Sequence, residues 1–306
     1  MEDKKNFEVI IVGGSYAGLS AAMTLGRSLR KVLLIDSGKP CNGQTPRSHN
    51  FITQDGVAPK EIAEKAKNQV LQYETVKYLN DLVGSVSKEN NAFTIRTMSN
   101  AVFTSDKMLF ATGVKDIMPE INGFAECWGI SVLHCPYCHG YEVRNQNIGI
   151  LANGEIAFDM CKLIQNWTNK LTLFTNGPSN LTTVQKDFIK KLNIPIIENR
   201  LTALNHTKGY LDNISFRNRK AMDIDAIFSR VDFEQHSTLP IELGCDLTDQ
   251  GHITIDFSQK TSVAGVFAAG DNTTPFRTVS LAVSAGTKAG AFINMELIEE
   301  QLPEQN

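Results

Sequence analysis

Residues 8–36 read EVIIVGGSYAGLSAAMTLGRSLRKVLLID. Within them, residues 9–12 are a short apolar run of strand type, GGSYAG is a turn, and Leu19, Ala22, Met23 and Leu29 recur at roughly helical spacing. A second strand, residues 32–35, ends in Asp36 and completes one βαβ unit. The small residues Gly13, Gly14, Ser15, Ala17 and Gly18 let the backbone approach a pyrophosphate, and the helix behind them offers free N–H groups and the positive end of its dipole. Asp36 lies 23 residues after Gly13 and 18 after Gly18, which suits a carboxylate accepting from a ribose hydroxyl. Read strictly, G-x-G-x-x-G falls on positions 13, 15 and 18, and its middle glycine is Ser15. With strand, helix and terminal acid in register, the stretch reads as a dinucleotide loop, the alternative being a structural turn.

The surrounding composition is that of an ordinary globular protein. In 306 residues, 42% hydrophobic and 21% charged, there is no case for a disordered, collagenous or coiled-coil chain, and the length suggests about two domains. The net charge is -3 and no long run of Lys or Arg exists, so nothing draws nucleic-acid phosphates or anionic lipid. MEDKK before the mostly apolar residues 9–22 has the outline of a leader, but Glu8 borders that stretch and GGSYAG interrupts it. No other segment reaches the roughly 18 apolar residues of a membrane span. The expectation is a soluble, cytoplasmic protein with neither nucleic acid nor membrane as partner. Six cysteines are too few for a disulfide scaffold, so a close pair in a reducing cytosol is expected to bind metal or to be catalytic.

Two further stretches place a hydrophobic strand before a small-residue turn: KMLFATGVKDIMP (residues 107–119) and AGVFAAGDNTTPFRTVSLAVSAG (residues 264–286). An N-terminal glycine loop, a central ATG and a C-terminal GD together resemble the two-domain FAD-dependent pyridine nucleotide disulfide oxidoreductases, over nearly the whole chain. The resemblance implies an α/β fold of two Rossmann-like, three-layer ββα-type nucleotide-binding domains, the second inserted in the first. Residues 1–114 and 243–306 would form the FAD domain and residues 115–242 the insert. FAD would then be lined by the first loop, by Ala111, Thr112 and Gly113, and by Gly270 and Asp271. Asp271 would bond the ribityl chain, with Arg277, Thr278 and Val279 at the pyrimidine edge; the plainer reading makes Asp271 a helix cap. The last helix, near residues 286–300, lies where the family forms homodimers.

A second βαβ unit starts at NIGILANGEIAFDMCKLIQNW and continues into KLTLFTNGPSN. Its three small positions are Ala152, Gly154 and Ala157, so the first glycine is absent, and Glu155 brings a carboxylate beside the expected pyrophosphate. The position for a ribose-binding acid holds Thr175. Relatives specific for NADPH carry adjacent arginines after this strand, which fork around a 2′-phosphate; here Asn176 and Gly177 stand there. The insert is therefore expected to keep the fold and to lose a tight NADPH site, leaving NADPH, NADH or another electron donor or acceptor open.

Between the two units lies LHCPYCHGYE, residues 133–142. Cys135 and Cys138, flanked by His134 and His139, have zinc-knuckle spacing, but a closed zinc site needs four ligands and the chain has no second CxxC and no HxxxH. Two idle thiols are the other plain reading. A CxxC in this place resembles low-molecular-weight thioredoxin reductase-like enzymes, which implies a redox disulfide with Cys135 as the outward, attacking thiol and Cys138 facing the flavin. Those reductases usually have an aspartate after the second cysteine. Here His139 takes the proton-moving position and could serve as acid or as acceptor, the alternative for it, as for His134, being a loop histidine with no task. CPYCHGYE looks closer to the branch that includes the gliotoxin-type dithiol oxidases. Cys41, Cys127, Cys161 and Cys245 are isolated and are assigned no role.

The expected function is an FAD-dependent thiol-disulfide oxidoreductase passing electrons between FAD and the Cys135/Cys138 pair. A reductase of thioredoxin or a similar protein is the first expectation, and a small-molecule dithiol oxidase using oxygen the second. A ferredoxin-fed reductase and a flavin redox sensor are the remaining alternatives.

Overall fold

The computed structural model of the chain describes residues 5–90 and 92–303. The opening stretch folds as β1 (Lys5–Val12), α1 (Tyr16–Arg27) and β2 (Val32–Asp36). It is followed by α2 (Pro59–Val70), β3 (Val76–Asn80), β4 (Val83–Glu89), β5 (Ala92–Thr97) and β6 (Val102–Phe110). Then come β7 (Val114–Ile117), α3 (Phe124–Cys127), β8 (Val132–Leu133), α4 (Pro136–His139), β9 (Ile148–Leu151), α5 (Gly154–Ile164), β10 (Leu171–Phe174), α6 (Thr183–Lys191) and β11 (Ile196–Ile197). A meander of β12 (Leu201–Thr207), β13 (Tyr210–Phe216) and β14 (Arg219–Asp223) precedes β15 (Ala226–Ser229), β16 (Asp232–Gln235), α7 (Leu239–Glu242), β17 (Val266–Ala268) and α8 (Val279–Gln301).

Two compact units emerge. The first holds Met1–Gly43, Pro59–Lys115 and Phe233–Asn306; the second holds Gln44–Ala58 and Asp116–Asp232. The first unit thus resumes at Phe233 rather than at 243, and the segment Gln44–Ala58 sits with the second unit, a placement that nothing in its sequence announces.

In the first unit the sheet runs β3-β2-β1-β6-β5-β4, with β17 also pairing β6. β1, β2, β3, β6 and β17 are parallel, and β4 and β5 are antiparallel. Parallel strands covered on both faces need continuous apolar runs, and residues 9–12, 32–35 and 108–110 are buried at every position. Phe110 and Phe93 are fully buried in this core; truncating either to alanine costs about 3–5 kcal/mol through lost burial and a cavity. α8 is longer than the sequence suggested. Its Gly286 lies against α1 so closely that a Cβ would fall 2.0 Å from Ala17 O, so one face of α8 is used inside the chain.

In the second unit a five-stranded parallel sheet, β11-β10-β9-β15-β8, stands beside the antiparallel β12-β13-β14. α5 buries Ala157, Met160, Cys161 and Ile164 on the parallel sheet, the i, i+3, i+4, i+7 stripe of an amphipathic helix. Two Rossmann-like α/β units are therefore present. No helix among the described residues is long and apolar enough to cross a membrane.

Candidate active site

In the first unit the three sequence motifs meet at the ends of β1, β6 and β17. Gly13 has φ +106°, and a Cβ there would lie 2.2 Å from Ala111 O; a Cβ on Gly18 would lie 1.8 Å from Gly13 O. Side chains are thereby excluded where the backbone turns into α1. Asp36 at the end of β2 is already engaged: Oδ1 accepts the Gly14 N–H at 2.9 Å, and Oδ2 accepts the Tyr78 hydroxyl at 3.0 Å and the Gly38 N–H at 3.2 Å. Its carboxylate braces the loop and keeps acceptor capacity for one more donor. Ser15 is the N-cap of α1 without a side-chain cap bond, and the first turn of α1 has no acid. The first turn thus presents helix N–H groups and positive dipole with no side-chain cap from Ser15 and no acid of its own.

Asn272, fully buried, donates from Nδ2 to Phe110 O at 2.9 Å, next to Ala111, while its Oδ1 is buried with no hydrogen-bond partner among the described residues. Asp271 Oδ2 lies 3.6 Å from Arg277 Nε. Thr278 caps α8 by accepting the Leu281 N–H at 3.2 Å, and Val279 opens that helix. A backbone cradle without Cβ atoms, an uncapped helix start and an unpartnered buried acceptor fit FAD. Asp271 is paired to Arg277 and is not an N-cap of α8.

The second loop is built differently. Asn153 caps α5, and its Oδ1 accepts two backbone N–H groups, of Gly154 and Asn180, each at 2.8 Å. Its Nδ2 donates to Pro178 O at 2.9 Å. Glu155 in the first turn accepts from Gln185 Nε2 at 2.6 Å, which ties it to α6. Asn176 Oδ1 takes the Leu201 N–H, and the Thr175 hydroxyl donates to Gly177 O. At the start of α5, where a pyrophosphate would lie, Asn153 Oδ1 already takes the Gly154 N–H and Glu155 adds a carboxylate. These residues do not fit a nicotinamide dinucleotide.

In the second unit Cys135 and Cys138 form a disulfide with Cα atoms 5.3 Å apart, both half-buried. Cys135 is the N-cap of α4 and Pro136 its first residue, and the Cys138 N–H points at Cys135 Sγ at 3.2 Å. That donor is placed to stabilise a thiolate on Cys135. His134 stacks at a tilt on Trp128, centroids 5.9 Å apart, and His139 meets His49 edge-on at 6.1 Å. Burial first, then the neighbouring His134 and His49, push His139 down from its usual 6.5 to about 4.

A family model described as pyridine nucleotide-disulphide oxidoreductase matches residues 7–289. The chain belongs to this family. Among curated relatives, this oxidoreductase is 31% identical to a thioredoxin reductase of Gibberella zeae, over 95% of its own length and 97% of the relative's. It is 28% identical to thioredoxin reductase tcpT of Claviceps purpurea, over 96% and 95%. Among solved structures, an oxidoreductase from Agrobacterium tumefaciens superposes with a TM-score of 0.90 at 32% identity, over 98% of this chain and all of that one. The oxidoreductase is thus an FAD-dependent, thioredoxin reductase-like disulfide enzyme.

Near neutral pH the His139 ring is therefore neutral, with one nitrogen carrying a proton and the other a free lone pair. Sequence reasoning missed His49, whose Nδ1 lies 3.5 Å from Glu142 Oε1 and 3.6 Å from Asp55 Oδ1. Nothing in RSHNFITQDG marks it, because only folding carries residues 44–58 to the disulfide-bearing unit. Asn153 was also missed. An asparagine before the first helical residue is an N-cap signal, and it was the clue to a helix terminus already occupied.

Proposed function

We propose that this oxidoreductase runs from dithiol to disulfide, oxidising a substrate dithiol and delivering the electron pair to oxygen. The observation that carries this reading is the α5 terminus, capped by Asn153 with Glu155 beside it, which disfavours a reduced nicotinamide as the electron donor. A neutral acceptor beside an oxidised disulfide is the starting state that a dithiol requires.

In the first step a substrate thiol gives its proton to His139 and attacks Cys135 Sγ. The S–S bond breaks and Cys138 leaves as thiolate. The second substrate thiol then attacks the substrate sulfur of the mixed disulfide, and Cys135 leaves with the pair, its thiolate received by the Cys138 N–H. FAD, when bound, supplies the two-electron acceptor that restores the disulfide and passes the pair to oxygen as hydrogen peroxide. FAD would be held by Gly13, Gly14, Ser15, Ala17, Gly18 and Asp36, by Ala111, Thr112 and Gly113, and by Gly270, Asp271, Arg277, Thr278 and Val279. The first unit would be the FAD domain and the second the insert that carries the disulfide. A cytoplasmic homodimer is the assembly we propose.

The names of the relatives favour a second reading, a reductase acting on a thioredoxin-like protein; the α5 terminus would then call for a donor other than NADPH. An anaerobic titration separates the two. Flavin bleaching by a dithiol but not by NADPH or NADH, with peroxide formed once oxygen is admitted, supports the oxidase. Rapid bleaching by NADPH overturns it.

A further inference from the structure

The proton chemistry at the disulfide has a second station on the segment Gln44–Ala58. That segment is anchored to the rest of its unit: Gln44 Nε2 donates to Ala125 O at 3.2 Å and to Trp128 O, and Thr45 packs against Gly129. Its own turn is built, with Ser48 bridged to Val57 and the Asn50 N–H donated to Asp55 Oδ1 at 2.8 Å. His49 therefore has a fixed position, 18% exposed, with Glu142 and Asp55 on Nδ1 and its ring edge-on to His139.

Each substrate dithiol must lose two protons, one per attack, and one imidazole holds one. Without an exit, the second thiol finds His139 already charged. We propose that His49, held by Glu142 and Asp55, is the positioning residue that takes the first proton from His139 and so returns it to the neutral form for the second attack. Centroids 6.1 Å apart place the rings beyond a direct N–H···N bond of about 3 Å and within reach of one bridging water. The titratable groups facing His139 are His134 and His49; those facing His49 are Asp55, Glu142 and His139. Glu142 Oε1 and Asp55 Oδ1, 3.5 and 3.6 Å from Nδ1, orient the His49 ring, as an acid beside a catalytic histidine does. After both attacks the protons rest on His49 and His139, and the electron pair rests on the two cysteine sulfurs.

The inference rests on the reading of His139 as proton acceptor, and its test is independent of the flavin. The holoenzyme is mixed anaerobically with dithiothreitol, quenched with iodoacetamide and weighed, so that intact disulfide, the mixed disulfide on Cys135 and the free dithiol are counted over time. In His49→Gln the mixed disulfide is expected to form at close to the normal rate and to resolve about tenfold or more slowly, so that it accumulates. Added imidazole should restore resolution, which it would not do for a merely structural loss. Glu142→Gln should show the same pattern more weakly. No accumulation in either variant, or accumulation that imidazole leaves unchanged, overturns the relay. If the wild type resolves the mixed disulfide but bleaches no flavin, the dithiol-to-oxygen reading fails while the relay result stands.

Discussion

The backbone N–H of Asn180 donates to Asn153 Oδ1 at 2.8 Å, joining the start of α5 to the loop after β10. Because the same oxygen also accepts the Gly154 N–H, one side chain braces both sides of the second nucleotide loop. NADPH and NADH should therefore fail to bleach the flavin at a catalytic rate. Asn153→Ala should lower stability by about 1 kcal/mol as a lost cap, without conferring NADPH use, because Asn176 and Gly177 still offer no guanidinium. Stopped-flow absorbance and urea unfolding check the two parts; fast NADPH oxidation by the wild type would contradict the first.

Gly18→Ala puts a methyl where 1.8 Å separates the Cβ position from Gly13 O. The loop must open to take it, and the expected outcome is folded protein purified with little or no flavin. The ratio of flavin to protein absorbance reads this directly, with Ser15→Gly as a control that should retain FAD.

The two cysteines should fail differently. In Cys138→Ser the remaining Cys135 thiol still attacks an external disulfide and should trap it as a stable adduct, because no second thiol is present to resolve it. Cys135→Ser should trap far less. Mass spectrometry of each variant after exposure to a substrate disulfide distinguishes them, and equal trapping would refute the assignment of Cys135 as the outward sulfur.

His139 falls to about 4 in the folded chain, against 6.5 when unfolded. Between those values the unfolded state binds a proton that the folded state refuses. Stability is thus fully present above about 6.5 and is lost as pH falls towards about 4, by at most about 3 kcal/mol. His139→Gln should flatten that part of a denaturation-against-pH curve. The slope that remains belongs in part to His252, which burial also lowers.

Lys107, 4% exposed, pairs with Glu296 at 2.7 Å and with Glu300, while Glu296 also holds Lys260 at 2.5 Å. Burial disfavours the Lys107 charge, but its bonds to the two glutamates outweigh burial and raise its pKa. Glu296→Gln should cost about 3 kcal/mol, because it strips a buried cation of its better partner. Thermal unfolding measures the loss, and a variant as stable as the wild type would show that Glu300 alone suffices.

The local units follow from the sequence alone. Strand, glycine turn, helix and acid follow from the periodicity and small residues of residues 8–36, and the CxxC and its neighbouring histidine lie within ten residues. Such features depend on short-range sterics and burial, which a window of sequence contains. What only the tertiary structure decided are contacts between distant segments: His49 brought beside His139, Asn153 bonded to Asn180, Lys107 enclosed by two glutamates of α8, Asp36 fastened to Tyr78. Each depends on which surfaces pack together, and many sequences of the same local pattern could pack them otherwise. The residues proposed to hold FAD therefore lie in motifs legible in advance, while Asn153 at the second loop and His49 beside His139 come from contacts that no window of sequence contains.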